Sequence, residues 1–240
     1  MRAAGHTHVG RVRARNEDAM GWDAEPGVAV VADGMGGHPC GDVAALLAVD
    51  AALEAVRREA GDRPWLDAGG DPAQLLGLLN AAVRAHGRHH TECSGLGATV
   101  VLAAVGSDQV AVAHAGDARA YRLHAGRLEP LTRDHNLAGE AVARGWLSPE
   151  AARHAPERHQ VTQALGLDAE PEPEVQRFRR EPGDLLLLCS DGLSGELPDR
   201  DIQDLLEASG PDLEPTARRL VRAALEAGGS DNITVVVVGL

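Results

Sequence analysis

Aromatic side chains are nearly missing from this chain: three Trp, one Tyr and one Phe in 240 residues. A hydrophobic content of 44% still suffices for a buried core, which must then be built from Ala, Val and Leu. Basic charge is also short. Lys and Arg total 23 against 36 Asp and Glu, a formal net charge of −13. Nucleic acid and anionic membranes would repel such a chain, so neither is expected as a partner. No apolar run nears the ~20 residues of a membrane span, and Met1–Gly10 lacks the apolar stretch of a signal peptide. Cys40, Cys93 and Cys189 form no CxxC pair, which predicts reduced thiols rather than a disulfide framework or a zinc site. Cys40 and Cys189 read as small buried hydrophobes. A soluble, cytoplasmic protein is expected. The sequence also has neither a Gly-rich phosphate loop nor a Cys-x₅-Arg loop, which removes two common phosphate chemistries.

No repeat or low-complexity linker divides the chain, so one domain over residues 1–240 is expected. Gly27–Ala32 reads as a buried strand, paired with Met20–Asp23 across the Glu25–Pro26–Gly27 turn. Apolar residues at helical spacing from Asp42 to about Ala60 predict one helix. Asp71–Pro72, a cap followed by proline, starts a second through Val83. Thr99–Val105, Gln109–His114, Arg119–Leu123 and Leu128–Leu131 then read as an antiparallel meander. Short helices are expected at 136–144 and 148–154, within a mobile surface stretch reaching Gly166. Asp184–Cys189 and Ile233–Val238 read as strands, and Pro198–Glu207 and Leu213–Ala227 as helices. Hairpins rather than βαβ alternation predict an α+β fold of stacked antiparallel sheets with helices outside.

Four acidic turns stand against this background: Arg13–Ala14–Arg15–Asn16–Glu17–Asp18, Asp33–Gly34–Met35–Gly36–Gly37–His38, Ser190–Asp191–Gly192 and Ser230–Asp231–Asn232. Asp33 and Asp191 follow apolar runs, and Asp231 precedes one. A carboxylate there projects from a sheet rim, and several together make an all-oxygen pocket suited to Mg²⁺ or Mn²⁺. Singly, each is an ordinary turn residue. Their order is the stronger signal.

That order resembles the PPM, or protein phosphatase 2C-like, serine/threonine phosphatases, most closely their compact bacterial members. The matching stations include Thr7, Gly10, Arg13 and Asn16–Glu17–Asp18, then Val31–Ala32–Asp33–Gly34–Met35–Gly36–Gly37–His38 and Leu96–Gly97–Ala98–Thr99. Ala115–Gly116–Asp117–Ala118–Arg119, Leu131–Thr132 with Asp134–His135, Ser190–Asp191–Gly192–Leu193 and Ser230–Asp231–Asn232–Ile233–Thr234 complete them.

The resemblance implies a four-layer α-β-β-α sandwich and two metal ions, Mn²⁺ or Mg²⁺, with a third in bacterial relatives. It implies that Asp33 bridges the two ions, helped by the Gly34 carbonyl, and that Asp191 and Asp231 hold one of them. Glu17 and Asp18 would act through metal-bound water, and Asp117 with Asp191 would hold the third ion. Arg13 alone in Arg11–Arg15 has the spacing to grip the substrate phosphate. The implied reaction is hydrolysis of phosphoserine and phosphothreonine by direct attack of a hydroxide bridging the ions, opposing a Hanks-type Ser/Thr kinase. A monomer acting on phosphorylated proteins is expected. Met35 stands where eukaryotic members often carry a candidate general-acid His, which leaves the leaving-group acid open between His38 and a metal-bound water. Residues 132–166 match the variable flap beside the cleft, with His154–Ala155–Pro156 in place of the common His-Pro. Its His135, His154 and His159 read as solvated surface histidines rather than an added metal site. A phosphoprotein-binding module without turnover and a hydrolase of small phosphoesters remain the rival readings.

Overall fold

The computed structural model describes residues 1–35, 40–167 and 171–240. In chain order the strands are β1 (Arg2–His8), β2 (Asp18–Asp23), β3 (Val28–Gly34), β4 (Ala98–Val105), β5 (Gln109–Ala115), β6 (Arg119–His124), β7 (Arg127–Pro130), β8 (Glu174–Arg179), β9 (Leu185–Cys189) and β10 (Ile233–Gly239). The helices are α1 (Gly41–Ala60), α2 (Pro72–His89), α3 (Leu137–Ala143), α4 (Pro149–Arg153), α5 (Asp191–Ser194), α6 (Asp199–Glu207) and α7 (Glu214–Ala227). One sheet runs β1-β10-β9-β6-β7 and the other β2-β3-β4-β5-β8, and every pairing is antiparallel.

The central strands are continuously apolar because both of their faces are covered. Along β3, Val28, Val30 and Ala32 pack toward α1 and α2, while Ala29 and Val31 face the other sheet. β10 repeats the arrangement: Val235 and Val237 meet α6 and α7, and Val236 and Val238 meet the opposing sheet. Three apolar slabs result, helix–sheet, sheet–sheet and sheet–helix, which is the expected four-layer α-β-β-α sandwich. Each fully buried Val contributes roughly 1.5–3 kcal/mol. In α1 an alanine stripe (Ala44, Ala45, Ala48, Ala52, Ala55) lets the helix sit close against its neighbours. Asp71 caps α2 as expected, accepting the Ala73 N–H at 3.0 Å, with Pro72 at the first helical position.

Three expectations need correction. The predicted meander is two hairpins in different sheets: β4–β5 belong to one and β6–β7 to the other, and the chain crosses at Gly116–Asp117. Strands β1 and β8 were not expected. Both are edge strands with one half-exposed face, so they lack the apolar run that marks an interior strand. The cysteine reading also fails: Cys40 and Cys93 form a disulfide, with Cα atoms 5.4 Å apart across 53 residues. The helical layer sets the start of α1 beside the short turn after α2, and no short-range pattern announces that meeting. Cys189 is the buried free thiol expected, pushed up to about 12 by burial.

Candidate active site

The two sheets end together at one rim, and the acidic turns meet there. Asp18 opens β2 directly opposite Asp33 on β3, so the two side chains share a face. Asp117 sits at the crossing between sheets, Asp191 begins α5 immediately after β9, and Asp231 lies just ahead of β10. Of the eight residues predicted for the site, seven (Arg13, Glu17, Asp33, Gly34, Asp117, Asp191 and Asp231) line one cavity of about 480 Å³. Asp18 lies beneath it, almost wholly buried.

Glycine after two of these acids serves close approach. A Cβ on Gly34 would stand 2.2 Å from the Gly41 carbonyl oxygen, and one on Gly192 would stand 1.9 Å from that of Asn232. Neither residue needs positive φ. The Asp-Gly pairs, read from sequence as turn dipeptides, thus let backbone from another segment close against the acid-bearing turn.

Polar cross-links hold the rim in register. Asn232 accepts the Glu17 N–H at 2.7 Å and donates to the carbonyls of Val9 and Arg15, both at 2.9 Å. Ser190 Oγ donates to Asp18 at 2.7 Å and accepts the Thr234 N–H at 3.0 Å. Thr7 and Thr234 hydroxyls meet at 2.7 Å, and Asn16 Nδ2 donates to Thr7 at 2.8 Å. Sequence reasoning quoted Asn232, Ser190 and Thr7 within motifs and gave them no role. Their polarity beside an apolar strand was the available signal.

Electrostatics mark the pocket as a place built for cations. Burial, then the neighbouring acids, raises Asp33 well above its ordinary value. Burial first and Asp191 among the charges push Asp117 up to about 8, and burial lifts Asp18 to about 7 despite its hydroxyl partners. Asp191 rises too, through burial and then Asp231. A bound divalent cation would reverse these shifts, because it replaces lost solvation and answers the repulsion. Asp18 Oδ1 and Thr99 Oγ1 are buried without hydrogen-bond partners, and the carboxylates offer oxygen alone. This donor set fits Mg²⁺ or Mn²⁺.

The acids are spread around the cavity. No three of them gather their oxygens within 4.8 Å; among the described residues that closeness is reached by His114, His135 and Glu174. Arg13 Nη2 takes Asp231 Oδ2 at 2.7 Å, with Arg13 about half exposed at the cavity mouth. Met35 also lines the cavity, its N–H bonded to the Gly97 carbonyl at 3.0 Å. Gly36, Gly37 and His38 lie outside the described residues.

From the flap, His159, Gln160 and Val161 reach the cavity wall. The reading of the flap histidines as solvated holds for His154 and is corrected for His135, which is 4% exposed and stacks on His114. β5 and the loop after β7 enclose it.

The protein phosphatase 2C family model matches residues 4–234, spanning both sheets and all the acidic turns. The chain belongs to that family. It is accordingly a protein phosphatase, an enzyme of the phosphoric monoester hydrolase class. It is 34% identical over 248 residues to the serine/threonine phosphatase Stp of Listeria welshimeri, covering 99% of this chain and 95% of that one. It is 36% identical over 244 residues to the serine/threonine protein phosphatase PstP of Mycobacterium tuberculosis, covering 99% of this chain but only 44% of PstP. The crystal structure of that phosphatase superposes with a TM-score of 0.86 at 34% identity, covering 100% of this chain and 98% of the other. A structure of the PstP catalytic domain in complex with two manganese ions superposes at 0.81, also 34% identical, over 98% of this chain and 96% of that one.

Proposed function

We propose that the chain removes phosphate from phosphoserine and phosphothreonine in proteins, using two divalent ions in the acidic cavity. The convergence of Asp33, Asp191, Asp231 and Arg13 on one cavity carries the reading. The manganese ions in the related PstP domain support it.

In this reading Asp33 and the Gly34 carbonyl would hold two divalent cations, with Asp191 and Asp231 on one of them, and Asp117 with Asp191 would contribute to a third position. Glu17 and Asp18 act through water. Once bound, the ions lower the pKa of a water and neutralise charge gathering on the phosphoryl oxygens. Arg13 turns from Asp231 to present two parallel N–H groups to the phosphate, a planar match that lysine lacks. Its half-exposed ion pair with Asp231 is worth at most about 1 kcal/mol in water, so exchanging one anion for another costs little. Met35 cannot give a proton, so the leaving alkoxide takes its proton from another group or from water.

Residues 1–240 act as one phosphatase domain, monomeric, opposing a Hanks-type Ser/Thr kinase. The place of work is the cytoplasm, where ATP lets such a kinase make the substrates. The Cys40–Cys93 disulfide lends this placement no support, since the cytosol keeps thiols reduced, and the placement rests on the substrate. Hydrolysis of phosphothreonine and phosphotyrosine peptides and of p-nitrophenyl phosphate, with Mn²⁺ and with chelator, tests the whole reading. Mn²⁺-dependent turnover favouring phosphothreonine is expected. Binding without turnover would transfer the chain to the phosphopeptide-binding modules, and preference for the small ester would remove the protein substrate.

A further inference from the structure

Outside the acidic cavity, one other cluster of ligand-type side chains converges among the described residues. His114 on β5 lies directly opposite Glu174 on β8 in the strand register, so both project from one face. His135, at the entry to the flap, stacks against His114 with ring centroids 4.4 Å apart. Ligand atoms of the three residues all lie within 4.8 Å of one another, and both imidazoles are buried.

Each ring makes one hydrogen bond to the backbone. His114 Nε2 donates to the Arg133 carbonyl at 2.8 Å, which leaves Nδ1 with a free lone pair. His135 Nδ1 accepts a long bond from the Gly116 N–H at 3.3 Å. Its Nε2 is buried with no hydrogen-bond partner and stands 3.5 Å from Glu174 Oε1. An orphaned ring nitrogen aimed at a carboxylate beside a second imidazole is the donor set of a borderline metal.

We propose that His114, His135 and Glu174 form a second metal site, nitrogen-rich and of the Zn²⁺ class, that clamps the start of the flap and the first residue of β8 onto β5. Tetrahedral Zn²⁺ bonds of about 2.0–2.1 Å bring ligand atoms to about 3.4 Å from one another. Glu174 sits on an edge strand with a half-exposed side chain and can make that contraction. On binding, the His135 ring proton moves from Nε2 to Nδ1 and the long Gly116 contact is given up. Arg133, which is mostly exposed and paired to Glu174, swings out to water. Burial already disfavours the charged form of both histidines, so they offer neutral nitrogens at neutral pH.

The consequence concerns residues 136–173. His135 and Glu174 bracket that stretch, and it carries His159, Gln160 and Val161 to the wall of the catalytic cavity. An ion here fixes both ends of the segment without touching the acidic pocket.

Co²⁺ titrated into the intact protein in excess Mg²⁺ tests this, because tetrahedral nitrogen ligation gives intense visible bands and octahedral oxygen ligation does not. Wild type is expected to bind one such Co²⁺, displaced by Zn²⁺, and Asp33→Asn is expected to keep the band. Glu174→Gln should weaken binding at least tenfold, with Mn²⁺-dependent hydrolysis within about twofold of wild type. Arg133→Gln should tighten binding several-fold, since it removes the competing cation. Glu174 and Arg133 are both exposed enough to change without unfolding the chain, and melting in chelator checks this. Absence of the band, its survival at wild-type affinity in Glu174→Gln, or its loss in Asp33→Asn overturns the proposal.

Discussion

The acidic rim and the histidine cluster lie at the same end of β5, His114 within the strand and Asp117 just past it, yet they handle burial in opposite ways. The rim gathers several buried carboxylates, with Arg13 paired to Asp231 at its mouth. The cluster pairs neutral imidazoles with a single carboxylate that Arg133 already satisfies. In one region the charged forms of the acids are disfavoured without a cation. The other is tolerable without one. The lesson is that burial of polar groups alone does not identify a catalytic centre; the sign and number of unanswered charges does.

The largest effect that would break the comparison is on turnover. Asp33→Asn or Asp191→Asn is expected to lower kcat/KM by at least about 10³-fold, the scale of a lost charge-stabilising group. Melting in chelator should hold, since burial already disfavours the charged form of either acid; wild-type kinetics in either variant would refute the assignment. Gly192→Ala should cost about 1–3 kcal/mol of stability through overpacking against Asn232, and should weaken Mn²⁺ binding by calorimetry while leaving the histidine cluster's Co²⁺ band intact. Arg13→Ala is expected to raise KM for a phosphopeptide about tenfold with Mn²⁺ affinity nearly unchanged; unaltered kinetics would end its phosphate role.

The smallest expected effect concerns pH. Asp18 and Asp117 have folded pKa values raised to about 7 and about 8, so their contribution to stability is complete below their unfolded value. It is lost as pH rises through 7 and 8. The buried histidines run the other way: their folded values are depressed, so their contribution is present above the ordinary imidazole range and is lost as pH falls. In chelator the melting temperature should therefore fall as pH rises from the ordinary carboxylate range to about 8 and level off above it, and saturating Mn²⁺ should flatten that limb. A flat profile in chelator would remove the charge argument for the rim.

Much of this was legible before the fold. β3, β4, β9 and β10 announce themselves because two covered faces leave no room for polar residues, and the acids at their ends stand out against that apolar background. The site was expected because the order of the four acidic motifs resembles the phosphatase pattern, while their meeting at one rim is visible only in the fold. What escaped detection depends on contacts with no local pattern: edge strands β1 and β8, the crossing at Gly116–Asp117, and the Cys40–Cys93 bond. That bond joins residues far apart in sequence and should contribute about 2–4 kcal/mol, measurable as a drop in unfolding free energy on reduction. Asn232 was visible as a letter in a motif, whereas its hydrogen bonds to Val9, Arg15 and Glu17 exist only once the two ends of the chain pair.

Gly34 and Gly192 set the spacing of the acidic rim by the methyl groups they lack. A randomised library that spared every carboxylate but varied these two positions would lose its active members first, although neither glycine touches phosphate. Catalytic tolerance in this protein is thus a matter of clearance as much as of charge.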